Sequence, residues 1–138
     1  MPSPQSALIA LLAALALHNG MLTWLLPPTG GQPLQGTFWV LDLYVIPLVL
    51  VGGLVANHRW PYMAAVVYAT VGLALDIATF VYGLAHDAPL PGLLLSTGPS
   101  GLLNFLAIVV AGVGTVGTIS GATLPADRLP NPRSQPST

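Results

Sequence analysis

Apolar residues run along this chain in four long blocks, separated by clusters of proline, glycine and polar side chains. The blocks fall at about 7–26, 38–56, 61–84 and 102–120. Each is close to the roughly 20 helical residues that cross a hydrocarbon core about 30 Å thick at 1.5 Å per residue. The pattern therefore predicts an all-α integral membrane bundle of four transmembrane helices within residues 1–124. Residues 27–37 hold three prolines and three glycines and cannot continue either neighbouring helix. Only Asn57-His58-Arg59-Trp60 separates the second block from Pro61, a connection short enough to force an antiparallel helical hairpin. The third connection, 85–101, reads as a loop whose Leu90–Leu95 segment is apolar but too short to span, and so is expected at the interface or docked on protein. Residues 125–138 are rich in proline and polar side chains, cannot bury a core, and read as a disordered tail.

Composition supports the same picture. Of 138 residues, 54% are apolar and only 5% are charged, against roughly a quarter charged in a soluble domain. The charged residues are Arg59, Arg128, Arg133, Asp42, Asp76, Asp87 and Asp127, so no helix carries a solvated face. A net charge of −1 supplies no basic field, which excludes a nucleic-acid partner. The chain has no cysteine, which excludes disulfides, thiolate metal sites and thiol chemistry. Ala14-Leu15-Ala16 has the small-x-small form of a signal cleavage site, but the leader Met-Pro-Ser-Pro-Gln-Ser carries no cation and the apolar run resumes at Met21. The first helix is expected to be retained.

Four spans put both ends of the chain and the 57–60 turn on one side. All three arginines fall there, so the positive-inside rule makes that side cytoplasmic, in a bacterial inner membrane. The aromatic residues divide accordingly, with Trp60 and Tyr62 at the inner interface and Trp24, Phe38, Trp39 and Tyr82 at the outer one.

An aspartate near a helix centre costs about 2.5–3.5 kcal/mol on insertion scales, so Asp42 and Asp76 belong on faces turned away from lipid. At helical spacing Asp76 lies in a stripe with Ala65, Ala69, Gly72, Thr79 and Gly83, all small or polar, as in a closely packed helix contact. The fourth block repeats this with Asn104, Ala107, Ala111, Thr115, Thr118 and Ala122. The corresponding stripes are Ala7, Leu11, Ala14, His18, Met21 and Leu25 in the first block, and Asp42, Ile46, Val49 and Gly53 in the second, where Pro47 should bend the helix. Counted from the block centres, His18, Asp42, Asp76 and Asn104 all fall in the outer half, within roughly 10 Å of the midplane. They are the candidate binding residues, an outer polar layer with Tyr44, Thr79 and Tyr82 as possible neighbours. Gly72, Ala111, Gly117 and Gly121 are the candidate helix-packing positions, the last two forming a GxxxG pair.

Other chemistry finds little support. His18 has no second histidine at its depth for bis-His haem ligation. His18, Asp42 and Asp76 have acceptable metal-ligand chemistry but no ligand spacing, so neither a metal nor a cofactor is assigned. Gly112-Val-Gly114-Thr-Val-Gly117 fits the dinucleotide fingerprint in form only, because no strand precedes it and it lies in mid-span. The composition fits a small non-catalytic membrane subunit packed against a larger complex, respiratory or photosynthetic, with the bilayer and other membrane subunits or its own copies as partners. The alternative is a small proton or cation transporter or channel component using Asp42 and Asp76. A membrane enzyme or a quinone or lipid binder, with His18 and an aspartate as acid and base, rests on residue types alone.

Overall fold

A computed structural model describes residues 3–25 and 41–122. The 27–37 loop, the 125–138 tail, Phe38, Trp39, Arg128 and Arg133 lie outside the described residues, as does the side chain of Trp24. Helix α1 spans Pro4–Leu25. A π-helical turn, Leu41–Val45, leads into α2, Ile46–Val55. Helices α3, Trp60–Ala85, and α4, Leu90–Ala122, complete an all-helical arrangement. Helices α3 and α4, the latter over Leu90–Gly121, are long and apolar enough to cross a membrane, and Asp42–Val55 is a shorter apolar helix.

The helices form a ring in which each touches two neighbours, with α1 opposite α3 and α2 opposite α4. Each supplies one i, i+4 pair to the core: Leu8 and Leu12, Leu50 and Leu54, Ala65 and Ala69, Ala107 and Ala111. The alanines let α3 and α4 approach closely, and the leucines of α1 and α2 fill the space this leaves. That division corrects the expected stripes on the first two blocks. The inward positions are Leu8, Leu12 and Leu15 on α1, and Pro47, Leu50, Gly53 and Leu54 on α2, while Ile46 and Val49 face outward. Small residues mark the inward face only where backbones meet; opposite a small face, a large side chain must point in.

The helix ends follow local chemistry. Ser3 caps α1, accepting the Ser6 amide at 3.2 Å, with Pro4 in the first turn. The α2–α3 and α3–α4 turns share one design. The amides of His58 and Ala88 each reach back to the carbonyls of Gly53 and Gly83 at 3.0 Å, and Asn57 and Asp87 take left-handed backbone at φ 57° and 54°. Gly53 and Gly83 are needed for close approach, since an added Cβ would lie 2.6 Å from Pro61 and 2.4 Å from Leu93.

Only 86–89 of the 85–101 segment form a turn; the rest from Leu90 on is helix. Helix α4 begins at Leu90 and continues through Pro99, giving a rod about 50 Å long. Pro91 fits a first helical turn, where its missing amide hydrogen costs nothing. Pro99 removes the donor for the Leu95 carbonyl, and the turn before it is back-bonded by its own hydroxyls, Thr97 Oγ1 to Leu93 O at 2.7 Å and Ser96 Oγ to the same carbonyl at 3.1 Å. Continuing the helix carries Ser96, Thr97 and Ser100 onto the bundle, the last two buried.

Candidate functional site

The site lies where the ring stops being apolar. One helical turn beyond Ala69, α3 presents Gly72 and then Asp76. One turn before Ala107, α4 presents Asn104 and then Ser100. Asp76 Oδ2 accepts hydrogen bonds from Ser100 Oγ at 2.8 Å and from Asn104 Nδ2 at 3.0 Å. Gly72 makes room for this, because a Cβ there would lie 2.8 Å from Asn104 Nδ2 and 2.9 Å from its Oδ1.

With Asp76 ionised, the donor is the amide nitrogen of Asn104, since turning the group over would set its oxygen against a carboxylate oxygen. In that orientation Oδ1 is the remaining acceptor. Asn104 is 3% exposed, and its Oδ1 is buried without a hydrogen-bond partner. Such an atom loses its hydration and gains nothing in return, a cost of about 1–3 kcal/mol unless a donor reaches it.

Asn104 borders a cavity of about 150 Å³ lined by Asp76, Ser100, Asp42, Tyr68, Thr79 and Asn19, with Leu15, Leu43, Leu75 and Gly72 as its apolar walls. Asp42 enters from the π-helical turn. In such a turn the Asp42 carbonyl would look to residue 47, and Pro47 has no N–H to give. The hydroxyl of Tyr68 donates to that carbonyl instead, at 3.0 Å, pinning the turn to α3.

Of the four candidate binding residues, Asp42, Asp76 and Asn104 line this one cavity. His18 does not. Its Nε2 lies 3.4 Å from the Ser96 carbonyl, one face round from Leu15 and Asn19. Among the neighbours considered, Thr79 is at the cavity, Tyr44 packs on Gly20, and Tyr82 stacks on His86 with ring centroids 4.0 Å apart. No three His or Asp side chains gather at metal-binding range among the described residues. Ser100 and Tyr68 are the polar partners that sequence reasoning did not find. Ser100 stood in a supposed loop, but its spacing of four from Asn104 was a usable signal.

The packing positions divide as well. Gly72 sits tightly against Asn104, and Ala111 is fully buried in the core. A Cβ at Gly117 or Gly121 would meet nothing within 4 Å, so their GxxxG pair makes no close contact among the described residues. The close contact on that stretch of α4 belongs to Gly114, where a Cβ would lie 2.3 Å from the Tyr62 ring.

Comparison with family models, curated proteins and solved structures finds no match. The chemistry of the cavity has to be judged from its own residues.

Proposed function

We propose that the chain is a four-span membrane protein, its termini on the cytoplasmic side of a bacterial inner membrane, that handles a proton or small cation at the cavity between Asp42 and Asp76. Membrane insertion is supported by the outward faces of α3 and α4, where residues such as Val67, 65% exposed, and Val116, 64% exposed, have only surroundings to meet. Apolar faces of that extent are stable in lipid and not in water. Cytoplasmic termini follow from Arg59, Arg128 and Arg133.

The observation that carries the function is one cavity lined by two aspartates, beside a buried amide oxygen without a hydrogen-bond partner. A network serving only to fix helix register would have each polar atom satisfied, because a half-satisfied one is worse than an apolar core. An acceptor-rich cavity with no basic side chain in its lining suits a positively charged guest. Proteoliposomes containing the full chain test this by flux of protons and monovalent cations. Wild type should conduct, and Asp76→Asn should reduce the flux at least tenfold with the same amount of folded protein. Equal flux in the two proteins, or none in wild type, would sink the proposal.

A non-catalytic subunit of a larger membrane complex is favoured by a separate feature, the Gly117 and Gly121 face of α4, which no described residue packs closely against. Purification in mild detergent with mass spectrometry of what co-purifies checks it: foreign subunits in fixed ratio support it, and a chain that purifies alone excludes it.

A further inference from the structure

A second opening lies at the other end of the bundle, beside the α2–α3 turn. We propose that it seats one anionic phospholipid, whose phosphate is held by Arg59 and whose upper acyl chain lies along the glycines of α4; this rests on the membrane reading above and not on the cation reading.

The groove is open to the surroundings and has a volume of about 400 Å³. Gly114, Gly117 and Gly121 give it a shallow floor on α4, and Tyr62, Pro4 and Arg59 bring α3, α1 and the turn to its walls. A Cβ at 117 or 121 would meet nothing within 4 Å, so the missing side chains leave a trough there, whereas at 114 the Tyr62 ring takes the space. Polarity changes along this trough. From the contact of Tyr62 with Gly114, Arg59 and Gly121 both lie toward the bundle end, Gly121 by about 10 Å along α4. Val113, 58% exposed, lies on the interior side. A cation at headgroup level with an apolar trough running inward matches the polarity of a phospholipid, and basic pockets between helices on the cytoplasmic side are where anionic headgroups bind.

The sign of the charge is set by Arg59. Among the described residues it is the sole Asp, Glu, Lys or Arg at this end, since Asp42 and Asp76 line the other cavity and Asp87 sits in the α3–α4 turn. Arg59 precedes α3 without a side-chain cap bond, so its guanidinium is not spent on the helix start. A planar guanidinium can meet a phosphate with two parallel N–H bonds, and the Tyr62 hydroxyl adds a further donor in the lining. Thr118 contributes none, because its hydroxyl already donates to the Thr115 carbonyl at 2.7 Å.

Native mass spectrometry of the full chain in a neutral detergent, with phosphatidylglycerol and phosphatidylcholine of matched chains added in equal amount, tests the assignment. Wild type should retain one phosphatidylglycerol, at least tenfold more often than phosphatidylcholine. Arg59→Gln should lower that retention at least tenfold at unchanged Tm, since Arg59 is exposed and makes no cap bond, while Arg128 and Arg133 keep any diffuse attraction in place. Gly117→Leu should lower it too by filling the trough, again without loss of Tm, because nothing stands within 4 Å of the new Cβ. Equal retention of the two lipids, or phosphatidylglycerol held as well by Arg59→Gln as by wild type, would overturn the proposal. So would glycerol 3-phosphate displacing the lipid at equal concentration, which would make this a site for a free anion. A wild-type dimer that Gly117→Leu converts to monomer would give the groove to a second copy, and lipid retained only after Asp127→Asn would give it to the chain's own 125–138 segment; either result overturns the lipid assignment. A chain that stays in solution without detergent would overturn the membrane reading as well.

Discussion

The two halves of this bundle use the same four helices differently. Beside the α2–α3 turn, eight side chains, two per helix, make a dry core of four leucines and four alanines. Beside the α3–α4 turn, the same helix faces carry Gly72, Asp76, Asn104 and Ser100, and border a half-open cavity in place of a core. A continuous apolar seam would have packed both halves. The interruption spares close packing at one end so that polar atoms can meet at the other, one of them unsatisfied.

The largest expected effect lies in the dry half. Leu12 is fully buried among residues of its own and neighbouring helices. Leu12→Ala should lower stability by about 2–4 kcal/mol, since the surrounding ring relaxes only partly into the space. Thermal unfolding in detergent reads this as a clear fall in Tm. A change of under about 1 kcal/mol would mean that the leucines do not hold the ring together, and the contrast between the halves would be lost.

Asp76 gives the next effect, and here the two substitutions should part. Asp76→Leu leaves the Ser100 hydroxyl and the Asn104 amide without their acceptor, and should cost about 1–3 kcal/mol. Asp76→Asn keeps the volume and an acceptor oxygen, and should stay within about 1 kcal/mol of wild type. Equal losses in the two variants would mean that charge, not hydrogen bonding, maintains the fold.

How much of this could be read from the sequence differs between helices. The inward stripe of α3, with Ala65, Ala69, Gly72 and Asp76, and that of α4, with Asn104, Ala107 and Ala111, are both visible as runs of small residues. Those two helices meet most extensively, and small residues are what close approach demands. On α1 the same rule selects Ala7 and Ala14, whereas Leu8, Leu12 and Leu15 point in. There the inward position is a filling position, and size alone cannot tell it from a lipid-facing one. The start of α4 was hidden for another reason. Pro91, Gly92, Gly98 and Pro99 read as loop punctuation, but Pro91 lies in a first turn and Pro99 is tolerated where the preceding turn back-bonds through Ser96 and Thr97. Tertiary packing against α3 overrides the local signal, and Ser100, the second donor to Asp76, is what that override brings into place.

Two glycine-to-alanine changes sharpen the contrast further. At Gly114 the new methyl would lie 2.3 Å from the Tyr62 ring, a bulky group beside the packed half, and the expected cost is about 1–3 kcal/mol. At Gly72 the clash, 2.8 Å, is with the end of the Asn104 side chain, which can swing into the adjacent cavity. Gly72→Ala should therefore cost less, under about 1.5 kcal/mol, but break the bond from Asn104 to Asp76 and reduce cation flux. Comparing Tm with flux separates the two: Gly114→Ala should lower Tm more, and Gly72→Ala should lower flux more. The opposite ranking would place the binding site elsewhere.

The smallest effect on the isolated chain is expected at Gly117, where an added methyl meets nothing within 4 Å. Alanine is preferred to glycine in a helix interior by about 1 kcal/mol, so Gly117→Ala should leave Tm unchanged or raise it slightly. The informative quantity is association. If this face is free and meets only lipid, the variant should sediment and co-purify like wild type. If a partner helix lies on the Gly117 and Gly121 face, one methyl holds the backbones apart and assembly falls while the chain itself is no less stable. Gly121→Ala tests the same face one turn on, and a loss seen at both positions but not at Gly112, which also meets nothing within 4 Å, would locate the contact on one side of α4. Unchanged association in all three variants would leave the acidic cavity as the feature of this bundle that requires a functional account.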